Sequence, residues 1–150
     1  MKPDGNILIL CAKNSARSQM AEALFRKHCG ARFDVYSAGL EASQIHPLAV
    51  RVMEEIGLPL TEQRSKDARE YLGRLAVRHL VVVCARTERE CPRLFPGAVR
   101  QYSWPFPDPV EVEGPLETRL TAFREIRDGI ERRILKWLRD PEVGFIGVRK

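Results

Sequence analysis

Cys11 and Arg17 stand six positions apart in the stretch CAKNSARS, a soft nucleophile followed by an anion-binding side chain. A thiol attacks as its thiolate, and that form is favoured at helix N-termini and beside cations. The aliphatic run Asn6 to Leu10 before Cys11 has the character of a strand buried on both faces of a parallel sheet. Behind the stretch, Met20, Ala21, Leu24 and Phe25 recur with helical spacing, and Ser18 has the residue type that caps a helix N-terminus. The connecting loop should therefore lie where backbone N–H groups lack internal partners and the helix dipole favours negative charge. Amides of Lys13, Asn14, Ser15, Ala16, Arg17 and Ser18, with the hydroxyls of Ser15 and Ser18 and the Arg17 fork, would cradle a tetrahedral oxyanion above the sulfur. Attack by sulfur on phosphorus or arsenic is the chemistry such a cradle allows.

The elements that must position this loop fit one domain spanning residues 1–150. No run approaches the ~18 apolar residues of a membrane span. The N-terminal MKPDGN leads directly into the first strand, so no secretory leader and a cytoplasmic location are expected. Cys11, Cys29, Cys84 and Cys91 then read as reduced thiols with chemical roles, and neither their spacing nor that of His28, His46 and His79 suggests a metal site. No cofactor is expected. The formal charge of +5 comes from basic residues interspersed with acids, as in RDGIERR at 127–133, which reads as a solvated helix face. Without an aromatic-interleaved basic motif, nucleic acid is excluded, and the positive field serves to gather a small anion.

Along the chain, the first helix should cover Ser18 to Cys29, stopping at Gly30, and Phe33 to Ser37 should form a second strand. His46-Pro47 opens a helix with an apolar stripe of Leu48, Val52, Met53 and Ile56, stopped by Gly57. Polar residues 61–68 should loop over the site before a short helix around Asp67 to Leu72. His79 to Val83 is a continuous β-branched third strand, Ala98 to Tyr102 a short fourth, and Leu116 to Leu138 a long amphipathic helix. Residues 141–150 stay unassigned. Buried strands alternating with helices predict a flavodoxin-like α/β fold: a four-stranded parallel sheet of order 2-1-3-4 with helices on both faces. Right-handed crossovers then bring Cys84, at the end of the third strand, to the same rim as Cys11. If ARTERE between Cys84 and Cys91 is helical, seven residues span roughly 10 Å, beyond the ~7 Å limit for disulfide-bonded Cα atoms. Joining the two would require that segment to unwind.

CAKNSARS with a buried strand before it, SQMAEA behind it and SAG at 37–39 resembles the phosphate-binding loop of the low-molecular-weight protein tyrosine phosphatases and of the arsenate reductases that share their fold. The resemblance runs from Ile7 to about Leu138. It implies a strained backbone at Asn14, bracing of Asn14 by Ser37, and a general acid at Asp108 in WPFPDP, with Trp104 and Phe106 walling the site. CARTERECP is similar to the redox segment of thioredoxin-coupled arsenate reductases. That similarity implies that Cys11 takes arsenate, Cys84 expels arsenite, Cys91 resolves Cys84, and thioredoxin reduces the final disulfide. The competing expectations are a phosphatase in which Cys84 and Cys91 are structural, and a module that binds an oxyanion without turnover. Some of these arsenate reductases hold potassium with Asn, Glu, Ser and Asp side chains. Asn14, Glu22 and Ser37 match, but Lys66 stands where the Asp would be, and its charge opposes a second cation, whereas an alignment shifted to Asp67 would restore the set.

Overall fold

The computed structural model describes residues 2–85, 95–142 and 145–148. Strands β1 (Asn6–Cys11), β2 (Asp34–Gly39), β3 (His79–Cys84), β4 (Arg100–Phe106) and β5 (Phe145–Val148) form one sheet of order β2-β1-β3-β4-β5. The first four are parallel, in the order that the alternating strands and helices predict. The sheet is not four-stranded, however, because β5 adds antiparallel to β4 with Tyr102 opposite Phe145. Its four residues were too short to register as a strand in sequence, and what recruits them is lateral. The Arg100 guanidinium lies 4.3 Å from the Phe145 ring centre and pairs with Glu142 at 2.7 Å.

Helix α1 (Arg17–Cys29) follows β1, α2 (Pro47–Glu54) follows β2, and α3 (Leu116–Arg139) follows β4. α2 opens as Pro47 and its cap dictate: the His46 imidazole accepts the Leu48 N–H at 3.1 Å, and proline at the first position needs no donor. α3 buries Leu120, Phe123, Ile130, Ile134 and Trp137 along one stripe. α1 and α3 cover one face of the sheet, where Phe25 stacks on Trp104 at 5.6 Å and Trp137 meets both edgewise. On the other face Tyr36 contacts Tyr71, just past a 3-10 turn at Ala68–Glu70 that Asp67 caps. Ile7, Leu8, Ile9 and Leu10 are completely or almost completely buried, as a central strand requires.

Two expectations are corrected here. Arg127 is not on a solvated face; it is buried, donating to the Val52 carbonyl at 2.8 Å and to Glu55 at 3.0 Å, which ties α3 to the carboxyl end of α2. Trp104 does not wall a site, because β4 extends to Phe106 and carries the indole into the core.

Candidate active site

β1 ends at Cys11 and α1 begins at Arg17, so residues 12–16 form the loop that the spacing demanded. The helix N-terminus differs from the expectation. Ala16 holds the cap position at φ −132°, ψ −78°, and no side chain caps the helix. Ser18 lies inside the first turn, with its hydroxyl 2.8 Å from Cys11 Sγ. The first-turn amides therefore face the loop without a competing side-chain acceptor.

Asn14 is the centre of the loop. It alone among the described non-glycine residues has positive φ, 53°, a conformation costing about 1–3 kcal/mol. Four hydrogen bonds use the full capacity of its buried amide. Nδ2 donates to Ser18 Oγ at 2.8 Å and to Ser37 Oγ at 2.9 Å. Oδ1 accepts from Gln19 Nε2 at 2.7 Å and from the Lys66 N–H at 2.8 Å. At roughly 1 kcal/mol each these bonds outweigh the strain. The result of the twist is that Asn14 N–H points at Cys11 Sγ, 3.1 Å away. Ser18, whose oxygen already accepts from Asn14, can supply the second donor. Two donors converging on one sulfur suit an ionised thiol.

Arg17 is buried at the loop's end. Its Nη1 donates to the Phe106 carbonyl at 3.0 Å, and Nη2 lies 3.6 Å from Asp108 Oδ2. Asp108 caps a 3-10 turn at Pro109–Glu111 by accepting the Val110 N–H at 3.0 Å, which leaves Oδ2 facing the arginine. The structure thus brings together Cys11, Asn14, Arg17, Ser18 and Asp108. Cys84 ends β3 on the neighbouring strand, two residues past the Leu10–Val82 pair, and it is disulfide-bonded, whereas Cys11 and Cys29 are free. Cys91 lies outside the described residues. The fourth thiol, Cys29, donates to the Phe25 carbonyl at 3.1 Å, and burial pushes its pKa up to about 11.

Three contributors went unread in the sequence. At Gly39 a β-carbon would lie 2.7 Å from Asn14 N and 2.8 Å from Ala12 O, so only glycine lets β2 pass beneath the loop. Gln19 clamps Asn14 to the Arg64 carbonyl, and Gln63 in turn holds the Gln19 amide at 2.8 Å. His46 donates its N–H to the Ser15 carbonyl at 2.8 Å; burial, followed by the nearby Arg119, lowers its pKa against an opposing pull from Asp108. Only the SQMAEA and SAG quotations hinted at Gln19 and Gly39. No group of three or more His, Cys, Asp or Glu side chains suited to a metal occurs among the described residues.

The sequence matches the family described as low molecular weight phosphotyrosine protein phosphatase over residues 6–143. An arsenate reductase of Halalkalibacterium halodurans is 41% identical over 128 residues, covering 85% of this chain and 91% of its own. Among solved structures, an arsenate reductase in the phosphate binding state is 26% identical with a TM-score of 0.71, covering 93% of this chain and 98% of that one. A thioredoxin-dependent arsenate reductase of Corynebacterium glutamicum is 27% identical with a TM-score of 0.63, covering 91% of this chain and 61% of that one.

Proposed function

Since the chain belongs to the low molecular weight phosphotyrosine protein phosphatase family, we propose that it turns that family's oxyanion loop to the reduction of arsenate to arsenite, with thioredoxin as reductant. The observation that carries the reading beyond phosphate ester chemistry is Cys84. It sits on the strand beside Cys11 and is engaged in a disulfide while Cys11 stays free. A phosphatase needs one thiol; a reductase needs further thiols to carry two electrons away.

In the first step the Cys11 thiolate, steadied by Asn14 N–H and Ser18 Oγ, attacks arsenic. The loop amides from Lys13 to Ser18 and the Arg17 fork hold the oxyanion. Asp108, beside Arg17, gives its proton to the departing oxygen, which leaves as water and not as a bare oxide. Cys84, its disulfide first reduced by the thioredoxin dithiol, then attacks the Cys11 sulfur as a thiolate. A Cys11–Cys84 disulfide forms, and arsenic departs with the S–As electron pair as arsenite. Cys91 attacks Cys84, frees Cys11 and leaves a Cys84–Cys91 disulfide, which a thioredoxin dithiol reduces by exchange. A reducing cytoplasm is the compartment that suits this cycle.

Cys91→Ser tests the relay. One equivalent of arsenite per chain is expected in a single turnover, with loss of thioredoxin-driven cycling. Undiminished multiple turnover in that variant overturns the proposal. Aryl phosphate hydrolysis that outpaces arsenate reduction in the parent protein would return the assignment to phosphatase, since Cys11, Arg17 and Asp108 serve either reaction.

A further inference from the structure

Beneath the nucleophile loop lies a lysine with no exposed role. Lys66 is 6% exposed, and its Nζ meets the Arg64 carbonyl at 2.8 Å, Glu22 Oε1 at 3.2 Å and Ser37 Oγ at 3.3 Å. The Ser37 hydrogen is already given to Glu22 Oε1 at 2.5 Å. All three groups around Nζ are therefore acceptors, and serving three of them takes three N–H donors, the number on an ammonium and not on a neutral amine. Glu22 is itself buried; its second oxygen is held by Arg26, whose side chain is about half exposed. Lys66 is thus the buried countercharge to Glu22.

From this ammonium a continuous chain of buried hydrogen bonds runs to sulfur. Lys66 and Glu22 fix the Ser37 hydroxyl, Ser37 accepts from Asn14 Nδ2, Asn14 donates also to Ser18, and Ser18 touches Cys11 Sγ. The Lys66 backbone grips the same residues: its N–H binds Asn14 Oδ1, and its carbonyl accepts the Gly39 N–H at 2.9 Å.

We propose that the Lys66 ammonium is a covalently tethered monovalent cation that sets the nucleophile loop, bracing Glu22 and Ser37 so that Asn14 and Ser18 stay aimed at Cys11 without any free metal ion. Lys66 is a positioning residue in this scheme, acting through Ser37 and Asn14. The inference rests on Cys11 being the nucleophile of the proposed function, but not on arsenate being its substrate.

The test exploits the space that Lys66→Ala opens among a carboxylate, a hydroxyl and a carbonyl, groups that suit a small monovalent cation. The rate of Cys11 carboxymethylation by iodoacetate, followed by peptide mass mapping, is measured beside arsenate turnover in potassium, ammonium and tetramethylammonium chlorides at equal ionic strength. Wild type is expected to give one rate in all three salts. Lys66→Ala is expected to be slower by about tenfold or more in tetramethylammonium, as loosened positioning implies, and to recover in potassium or ammonium. Lys66→Met fills the stem's volume without charge and is expected to be slow in every salt. The proposal is overturned if wild type depends on the cation, if folded Lys66→Ala keeps the wild-type rate or is rescued by no small cation, or if Lys66→Met reacts at the wild-type rate. The Lys66→Met outcome decides even where Lys66→Ala does not fold. Cation rescue of carboxymethylation in a protein that reduces no arsenate would overturn the proposed function and leave this inference standing.

Discussion

Gly39→Ala should damage the nucleophile loop although residue 39 carries no chemistry of its own. The added methyl would sit 2.7 Å from Asn14 N, 2.8 Å from Ala12 O and 2.8 Å from Lys13 C, all backbone atoms. No side chain can swing aside, so relief requires the strand and the loop to separate by about 0.7 Å to regain ordinary contact at 3.4 Å. Overpacking of this kind costs about 1–3 kcal/mol, and the lower entropy of an unfolded alanine offsets only about 0.4–1 kcal/mol. A net loss of about 1–2 kcal/mol corresponds to a melting temperature lower by about 2–8 °C for a chain of this size. The larger effect falls on rate. A shift approaching 1 Å at a reacting group costs on the order of a hundredfold, so kcat/KM for arsenate should drop about ten- to a hundredfold. Thioredoxin-coupled arsenate turnover and a thermal melt, run on parent and variant together, measure both. A Gly39→Ala protein that melts with the parent and turns over at its kcat/KM would refute the claim that β2 passes beneath the loop at van der Waals contact.

Other outcomes follow from groups away from the loop. Burial, with the nearby Arg78 and Arg100 charges, lowers the His79 pKa to about 4, so the unfolded chain takes up a proton below pH 6.5 that the folded chain refuses. Stability should fall as pH drops from 7 to 5, by about 2 kcal/mol from this residue, and urea midpoints of His79→Gln should lose that part of the pH dependence. Cys29, with its raised pKa and its bond to the Phe25 carbonyl, should resist iodoacetamide in the native protein, and Cys29→Ala should keep arsenate turnover; mass mapping and kinetics check the two. Gly129 lies inside α3, where a β-carbon would meet only the Phe106 ring, at 3.4 Å, and an Arg132 side-chain nitrogen at 3.7 Å. Gly129→Ala should therefore raise stability by about 0.5–1 kcal/mol, read from denaturant midpoints.

The parallel core and the loop were legible because local patterns dictate them. Solid aliphatic runs mark strands covered on both sides, and the stripe from Leu120 to Trp137 fixes α3. Cys11 and Arg17 could be placed from their spacing between a buried strand and a helix N-terminus, and Cys84 from crossover handedness, whereas Asp108 was read only from the resemblance of WPFPDP to the family's loop. What escaped was set by contacts distant in sequence. Ser18 has a capping residue's chemistry, but Cys11 and Asn14 claim its hydroxyl, leaving Ala16 at the cap. Arg127 looked solvated in a run of charges until α2 supplied the Val52 carbonyl and Glu55. Trp104 followed WPFPDP into a presumed loop, whereas pairing of β4 with β3 extends as far as Phe106 opposite Cys84. The role of Gly39 is an absence of atoms, which no periodicity records.

The antiparallel pairing of β5 has a colloidal consequence. Along β4 it occupies main-chain N–H and C=O groups from Arg100 to Tyr102 that would otherwise form an open edge, the usual template for intermolecular strand addition. A chain cut after Pro141 would expose that ladder beside the Tyr102 ring, and light scattering should then report self-association that the intact tail suppresses. In this molecule the last strand acts as a seal on the sheet.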